Sequence, residues 1–192
     1  DYGLRITGHS NTVRGLLVRN FRAGLATGIE IAGGRSNALI ACTVVSNGYG
    51  VHLTDTRGSA IGAAGASNVC VVSGNNFYGV FDERGVEDVI DNTIVGLGPD
   101  GTNVAPNGMD GIRLAGTTGV VVRGSVISGN SDWGISMTDG AGQNRVDGCF
   151  IGLDRSGLAG WGNDLGGVRI SGGYNNVLGD IATNYIALNG FG

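Results

Sequence analysis

The chain has 192 residues, of which 41% are apolar and 39 are glycine, while only 2 are proline. Collagen is excluded because it needs abundant proline, and long helices are disfavoured because each interior glycine costs about 1 kcal/mol relative to alanine. Charged residues make up 15% of the chain, the net charge is −4 and all 12 basic residues are arginine. This balance argues against nucleic acid or an anionic membrane as a partner, since both require a basic excess.

A short sequence motif, glycine followed by apolar–x–apolar and called the phrase below, recurs along the chain at intervals of about 22 to 33 residues. It begins at seven glycines: Gly3, Gly28, Gly50, Gly79, Gly111, Gly134 and Gly167. Alternation of apolar and other residues is typical of a β-strand. The glycine is expected to let the backbone turn. Gly192 would open an eighth phrase.

Two further strands are predicted in most repeats. The second is marked by Asn or Asp two residues before an apolar residue, in the pairs Asn11 and Val13, Asn37 and Leu39, Asp88 and Ile90, and Asn144 and Val146. The third is marked by the pairs Leu16 and Val18, Cys42 and Val44, Thr93 and Val95, and Cys149 and Ile151. Three short strands per repeat, bends rich in glycine and asparagine, and no helical period predict an all-β domain over residues 1–192. The expected fold is a right-handed parallel β-helix of about seven rungs, stacked roughly 4.8 Å apart.

A longer insert occurs twice, because residues 95–114 align without gaps to residues 151–170. We expect a reused loop leaving the third bend, in which Asp100 and Asp154 cap turns rather than bind a cation. The three cysteines, Cys42, Cys70 and Cys149, are too few for a disulfide framework, and we expect buried thiols. No apolar run approaches 18 residues, so no membrane span is expected.

The form I-G-x-D-x-x-G-x-x-x-x-G-N at residues 151–163 resembles a segment of bacterial right-handed β-helix surface proteins. The repeat as a whole resembles the pectin-lyase-like superfold, which also holds phage tailspikes, and the resemblance covers essentially the entire chain. The resemblance implies the architecture of the chain but not its activity, because proteins of this superfold have many different functions.

An aromatic residue precedes the phrase glycine in several repeats, at Tyr2, Tyr49, Tyr78, Trp133 and finally Phe191. These residues are expected at one corner of successive rungs. An intramolecular stack is the favoured interpretation, and a platform for sugar rings is the alternative. In that alternative, Tyr49, Tyr78 and Trp133 contact a glycan.

The middle residues of the phrases are predicted to face solvent in one column: Arg5, Glu30, His52, Phe81, Arg113, Ser136 and Arg169. Around the third to fifth phrases, charged and ionisable residues gather. The candidate catalytic residues are His52, Asp82, Glu83 and Arg113, and Arg84 and Asp110 are candidate substrate contacts. Asp82 stands where other phrases have Ile, Leu or Met. Because an unpaired buried carboxylate is costly, we expect a local bulge that pairs Asp82 with Arg84 or a neighbour.

A mutually paired charge patch is the favoured interpretation of this cluster. In the enzymatic alternative, carboxylates one or two rungs apart would suit a retaining or an inverting glycosidase. The resemblance to pectate lyases implies instead acidic residues that hold calcium while an arginine abstracts a proton. The N-T-D and G-H-G motifs of polygalacturonases are missing, and Gly8-His9-Ser10 is the nearest match.

The sequence therefore predicts a structural, glycan-contacting module of an extracellular fibre, either a bacterial surface protein or a phage tailspike. A polysaccharide lyase or glycoside hydrolase is the alternative, and calcium belongs to that alternative alone, since no cofactor is otherwise expected. The expected partners are a polysaccharide or cell-surface glycan, and further rungs of the same chain or identical chains, as a homotrimer by analogy with tailspikes. The expected location is extracellular, at a cell surface or on a virion. Neither end shows a capping rung, which favours a slice of a longer solenoid.

Overall fold

The computed structural model describes residues 1–190, which form 21 short β-strands and one 3-10 turn at Ala66–Asn68. The strands make three parallel sheets of seven strands each, and every rung of the coil gives one strand to each sheet. The prediction of an all-β parallel β-helix with seven rungs is confirmed. No helix among these residues is long and apolar enough to cross a membrane.

The first sheet holds the phrase strands: β1 (Tyr2–Ile6), β4 (Thr27–Ala32), β7 (Tyr49–Thr54), β10 (Val80–Glu83), β13 (Ile112–Ala115), β16 (Trp133–Thr138) and β19 (Gly166–Ile170). The second sheet holds β2 (Thr12–Arg14), β5 (Ala38–Ile40), β8 (Ala60–Ile61), β11 (Val89–Asp91), β14 (Val121–Arg123), β17 (Arg145–Asp147) and β20 (Val177–Leu178). The third sheet holds β3 (Leu17–Arg19), β6 (Thr43–Val45), β9 (Cys70–Ser73), β12 (Thr93–Val95), β15 (Val126–Ile127), β18 (Phe150–Ile151) and β21 (Tyr185–Ile186).

The first apolar residue of each phrase occupies one column inside the coil: Leu4, Ile29, Val51, Val80, Ile112, Ile135 and Val168. The five middle members of this column are fully buried. Because side chains alternate between the two faces of a strand, a register slip of one residue would turn the whole set outward. Burial of this column therefore fixes the register of the first sheet.

The phrase glycines are required by close approach rather than by a turn conformation. A Cβ on Gly50 would stand 2.6 Å from Val72 Cγ1 and 2.7 Å from Asn75 Nδ2. Gly50 lies in an extended strand and does not have a positive φ. The expectation that this glycine lets the backbone turn is wrong at this position, because the constraint is the side chains of the third sheet and the bend packed against it.

A ladder of asparagines runs along the bend between the third and first sheets: Asn47, Asn75, Asn107, Asn130, Asn163 and Asn189. All but the half-buried Asn189 are buried. The side-chain amide of each donates to Oδ1 of the next, at 2.7–3.3 Å. This ladder was not predicted from the sequence, although its signal is an asparagine three or four residues before each phrase glycine from the third onward. The ladder ties successive rungs together through buried polar groups that are satisfied only by one another and by the backbone.

The reused loops leave the coil directly after β12 and β18, which is the predicted third bend. Equivalent antiparallel bridges close them, between Leu97 and Val104 and between Leu153 and Gly160. Asp100 and Asp154 accept hydrogen bonds from backbone N–H groups of their own loops. Hydrogen bonds from the Ser156 hydroxyl and from backbone amides lower the pKa of Asp154, so these carboxylates cap turns.

The three cysteine thiols are buried at the start of strands in the third sheet. The backbone N–H of Cys42 donates to Sγ of Cys70, 3.4 Å away on the next rung. Burial raises the pKa of Cys149 to about 11. The expectation of buried thiols is confirmed.

Candidate functional site

The outward column of the first sheet has the predicted membership and register, from Arg5 to Arg169. Two of its members, Glu30 and Ser136, are covered by neighbouring side chains and are 7% and 1% exposed. The next outward position places Glu83 between Thr54 and Ala115. The first sheet therefore presents His52, Phe81, Glu83 and Arg113 on one outer surface, on the third to fifth rungs.

Aromatic rings of the third and fourth rungs form a cluster on this surface. The rings of His52 and Phe81 lie 4.7 Å apart with an interplanar angle of 1°. Tyr49 lies 5.9 Å from Tyr78 and 6.2 Å from Phe81. Parallel and tilted pairs at these distances are favourable aromatic geometries. The predicted intramolecular contact between Tyr49 and Tyr78 is present, and it includes Phe81 and His52 from the neighbouring column.

The guanidinium of Arg113 completes the cluster on the fifth rung. Its Cζ lies 5.3 Å from the Tyr78 ring centroid and 6.0 Å from that of Phe81, within the range of a cation–π contact. Its Nη1 also donates to the Tyr78 hydroxyl at 3.0 Å. Phe81 is thus held between the His52 imidazole and the Arg113 guanidinium.

His52 has two polar neighbours. Its Nε2 lies 3.0 Å from Oγ1 of Thr54 and 3.4 Å from Oε2 of Glu83. Burial lowers the pKa of His52, although the carboxylates of Glu83 and Glu30 act in the opposite direction. The imidazole is therefore neutral near pH 7, with one ring nitrogen able to accept a proton or a hydrogen bond.

Three arginines on this surface, Arg5, Arg84 and Arg113, are each held by acidic side chains. Arg84 makes two hydrogen bonds to Asp55, at 2.8 and 3.1 Å, and a third to Glu83. This interaction with Arg84 lowers the pKa of Asp55. Arg113 reaches Asp139 at 3.4 Å, and Arg5 pairs with Glu30 at 2.5 Å. The charged patch is mutually paired, as favoured from the sequence.

Asp139 was not among the sequence candidates. It follows β16 in the string Thr138-Asp139, as Asp55 follows β7 in Thr54-Asp55, and both residues have a positive φ at the same bend. The repeated Thr-Asp pair is the signal that could have identified it. A hydrogen bond from the Thr138 hydroxyl and the interaction with Arg113 lower the pKa of Asp139.

Two adjoining hollows follow this surface along the coil, and we call them together the outer groove. One has a volume of about 440 Å³ and is lined by Tyr49, Tyr78, Phe81, Glu83, Arg84, Arg113 and Asp139 among others. The other, of about 360 Å³, is lined by Tyr2, Thr27, Glu30, Tyr49 and His52 among others. Tyr49 lines both hollows, so the outer groove extends from Tyr2 on the first rung to Asp139 on the sixth.

Asp82 does not belong to the outer groove. It stays in register between Leu53 and Leu114, with its side chain inside the coil and no exposed area. The predicted bulge and the pairing with Arg84 are wrong, because Arg84 binds Asp55 and Glu83 instead. In-register pairing on both sides of β10 turns Asp82 inward and its neighbour Glu83 outward. Asp82 is therefore no catalytic partner for Glu83 on the outer surface.

The carboxyl group of Asp82 faces that of Asp88 beneath Gly85. A Cβ on Gly85 would collide with Oδ1 of Asp82 and Oδ2 of Asp88. Asp88 accepts hydrogen bonds from Oγ1 of Thr56 at 2.5 Å and from the backbone N–H of Ser59 at 2.6 Å, whereas within residues 1–190 neither oxygen of Asp82 has a hydrogen-bond partner. Burial, and then the charge of Asp88, raise the pKa of Asp82 well above its usual range. Within the described part of the chain, no three His, Cys, Asp or Glu side chains come together as a metal site.

Asp110 and Trp133 also lie outside the outer groove. Asp110 accepts hydrogen bonds from the backbone N–H of Trp133 at 3.1 Å and from the Ser136 hydroxyl at 2.5 Å. The Trp133 ring lies over Gly166, where a Cβ would collide with it. The residues that precede the phrase glycines form one column at a corner of the coil, as predicted, from Tyr2 to Gly166. Thr27 and Asp110 separate its aromatic members, and Phe191 lies outside the described residues.

No protein-family model matches the chain, and no curated protein matches it. Among solved structures, an alginate lyase from Paenibacillus sp. str. FPU-7 is similar with a TM-score of 0.47 and 11% identity, over 97% of this chain and 87% of the lyase. QnrB1, a plasmid-mediated fluoroquinolone resistance protein, matches with a TM-score of 0.17 and 11% identity, over 86% of this chain and 92% of that one. Likenesses at this level say nothing about what the chain binds.

Proposed function

We propose that this chain is a rigid β-helical shaft that binds a glycan in its outer groove without cleaving it. The observation that carries the proposal is the outer groove itself. Among residues 1–190 it brings five aromatic rings, counting the His52 imidazole, together with Arg84, Arg113 and their acidic partners on one outward surface. Rigidity follows from the three continuous sheets and the buried asparagine ladder, which hold these side chains on neighbouring rungs.

The chemistry of the groove suits a polyhydroxylated ligand. The carboxylates of Glu83 and Asp139 accept hydrogen bonds, the guanidiniums of Arg84 and Arg113 have further N–H donors, and the tyrosine hydroxyls do both. Aromatic surface from Tyr49 and Tyr78 provides apolar contact beside these polar groups. A sugar ring presents the same alternation of hydroxyl groups and C–H faces.

A second candidate function is polysaccharide cleavage, and the contact between His52 and Glu83 favours it. This pair could move a proton at the groove floor, with Arg113 beside it. Glu83, however, is also bound by Arg84, and the second carboxylate expected from the sequence, Asp82, is inside the coil. We therefore rank cleavage below binding.

We further propose that the chain belongs to the pectin-lyase-like superfold and acts in an extracellular fibre, at a cell surface or on a virion. The three parallel sheets run through all seven rungs, which supports an elongated role of this kind. The proposed partners are further rungs or identical chains, as in a homotrimeric fibre.

Binding to a glycan microarray, followed by calorimetric titration with the best oligosaccharide, tests the proposed function. Arg113→Ala and Tyr78→Phe should each weaken binding at least about tenfold, since a charge-assisted hydrogen bond contributes about 1.5–3 kcal/mol. Arg57→Ala is the matched control, because Arg57 forms an exposed pair with Glu87 away from the groove, and this variant should bind as the parent does.

Absence of binding to every glycan, or equal loss in the control, would refute the proposal. New reducing ends or unsaturated uronates in the same mixtures, abolished by Glu83→Gln, would replace it with the cleavage alternative.

A further inference from the structure

We infer that the outer groove selects an uncharged glycan and discriminates against polyuronates. This inference rests on the proposed glycan-binding function and specifies the class of ligand. It follows from how the charges in the groove are arranged.

The arginines in and beside the groove, namely Arg84 and Arg113 in its lining and Arg5 against the lining residue Glu30, each already have a carboxylate partner. Arg5 is paired with Glu30, Arg113 with Asp139, and Arg84 with both Asp55 and Glu83. Three guanidiniums thus meet four carboxylates, and the groove has no positive excess. A site that concentrates a polyanion needs such an excess, because the summed field of a cleft determines which ions gather in it.

The ionisation states do not reverse this balance. Interactions with Arg84 and with the Thr138 hydroxyl lower the pKa values of Asp55 and Asp139 respectively, so both carboxylates stay charged near neutral pH. His52 adds no positive charge there, because burial lowers its pKa. These groups lie on the third to sixth rungs. Neighbouring rungs are about 4.8 Å apart, which is within the Debye length of about 8 Å at physiological salt.

A uronate could reach Arg84 or Arg113 only by displacing Asp55, Glu83 or Asp139. The displaced carboxylate would then face the incoming one within the same hollow, and like charges at short range are unfavourable. Uncharged sugar hydroxyls avoid this conflict, since they donate to the carboxylates and accept from the free N–H groups while the ion pairs stay intact. The paired network is therefore suited to a neutral ligand.

Calorimetric titration with two sets of probes of similar length tests the inference. The neutral set is cellohexaose, maltohexaose and mannohexaose, and the acidic set is hexagalacturonate and hexamannuronate, each at low and at physiological ionic strength. The best neutral probe should bind at least about tenfold more tightly than either acidic probe, a difference of about 1.4 kcal/mol. Its affinity should change little with salt.

The double variant Glu83→Gln, Asp139→Asn removes one negative charge beside Arg84 and one beside Arg113 with little change in side-chain size, and leaves the Arg84–Asp55 pair in place. It should gain at least about tenfold in affinity for hexagalacturonate at low salt, whereas Glu87→Gln, which alters an exposed pair outside the groove, should gain nothing.

Tighter binding of the acidic probes by the parent chain, weakened by salt, would overturn the inference and leave glycan binding intact. If no hexasaccharide of either set binds the parent chain while neutral glycans on the microarray do, the double variant decides. A gain in its affinity for hexagalacturonate would support the inference, and no gain would refute it. If no glycan binds at all, both the inference and the proposed function are refuted.

Discussion

The carboxyl groups of Asp82 and Asp88 meet inside the coil, at the bend between the first and second sheets, where Gly85 leaves room for them. Asp88 is anchored by Thr56 and Ser59, while Asp82 has no donor within residues 1–190. Two ionised carboxylates so placed would repel each other. Burial raises the pKa values of both residues, so the folded pair retains a proton to a higher pH than either group would in water.

This pair makes the stability of the fold dependent on pH. The folded pKa of Asp82 is raised above the unfolded value near 3.9, so above about pH 4 the folded chain binds more protons than the unfolded chain. The contribution is fully present below that pH and is lost as the pH rises towards the folded pKa. Asp82→Leu removes the buried acid from an otherwise apolar column and should raise the free energy of unfolding near pH 8 by about 1–4 kcal/mol.

Denaturant unfolding of the parent and of Asp82→Leu, repeated at intervals between about pH 4 and pH 8, measures this effect. The variant should show a flatter dependence on pH. Asp55→Asn is the control, because Asp55 is an exposed acid on the outer surface and its loss should leave the slope above neutral pH unchanged. A variant that is less stable than the parent near pH 8, or that keeps the parent's slope, would contradict the prediction.

The asparagine ladder should be the most sensitive polar element of the fold. Asn107 accepts hydrogen bonds from the backbone and side-chain amides of Asn75 and donates to Asn130 and to the Val72 carbonyl. Asn107→Ala leaves these buried groups unpaired, and each costs about 1–3 kcal/mol, so the free energy of unfolding should fall by at least about 3 kcal/mol. Asn103→Ala, whose side chain bonds to Asp100 in an exposed loop, should cost about 0.5 kcal/mol or less. Similar losses in the two variants, measured by thermal and denaturant unfolding, would count against the ladder.

The titration of His52 reports on the polar centre of the outer groove. Burial lowers the pKa of its imidazole, and the Glu83 carboxylate raises it in partial compensation. Glu83→Gln should therefore lower the His52 pKa further, which NMR of the imidazole resonances will measure directly. Glu87→Gln, in an exposed pair with Arg57, should leave it unchanged. An unchanged or higher pKa in Glu83→Gln would show that the two side chains do not interact in solution.

Trp133 was a candidate glycan contact, and its position assigns it a packing role. Trp133→Ala removes a half-buried ring from the surface of Gly166 and should lower the free energy of unfolding by about 2 kcal/mol. Glycan affinity should remain within about twofold of the parent, because the ring does not line the outer groove. Calorimetric titration beside thermal unfolding separates the two effects. A loss of affinity comparable to that of Arg113→Ala would show that the Trp133 ring contacts the glycan.

Much of the fold was determined by local pattern in the sequence. Period-2 alternation after each phrase glycine predicts strands, and seven repetitions predict seven rungs, because a repeat that cannot bury its own apolar face must stack on its neighbour. The column from Leu4 to Val168 and the outward column from Arg5 to Arg169 follow from that register alone. The sequence also indicated that charged residues gather on the third to fifth rungs.

Tertiary structure decided which of those residues share a surface. Asp82 and Glu83 are adjacent in the chain, but strand alternation places them on opposite faces, and only the intact ladder on both sides of β10 excludes the bulge that would have brought them together. Arg84 joins Asp55, and Arg113 joins Tyr78 and Asp139, across separations of 26 to 35 residues. Loop length and side-chain direction fix such contacts, and neither is encoded in a local pattern. Whether a carboxylate is paired, buried or exposed depends on the rungs beside it, so the charge balance of the outer groove was decided by the folded coil.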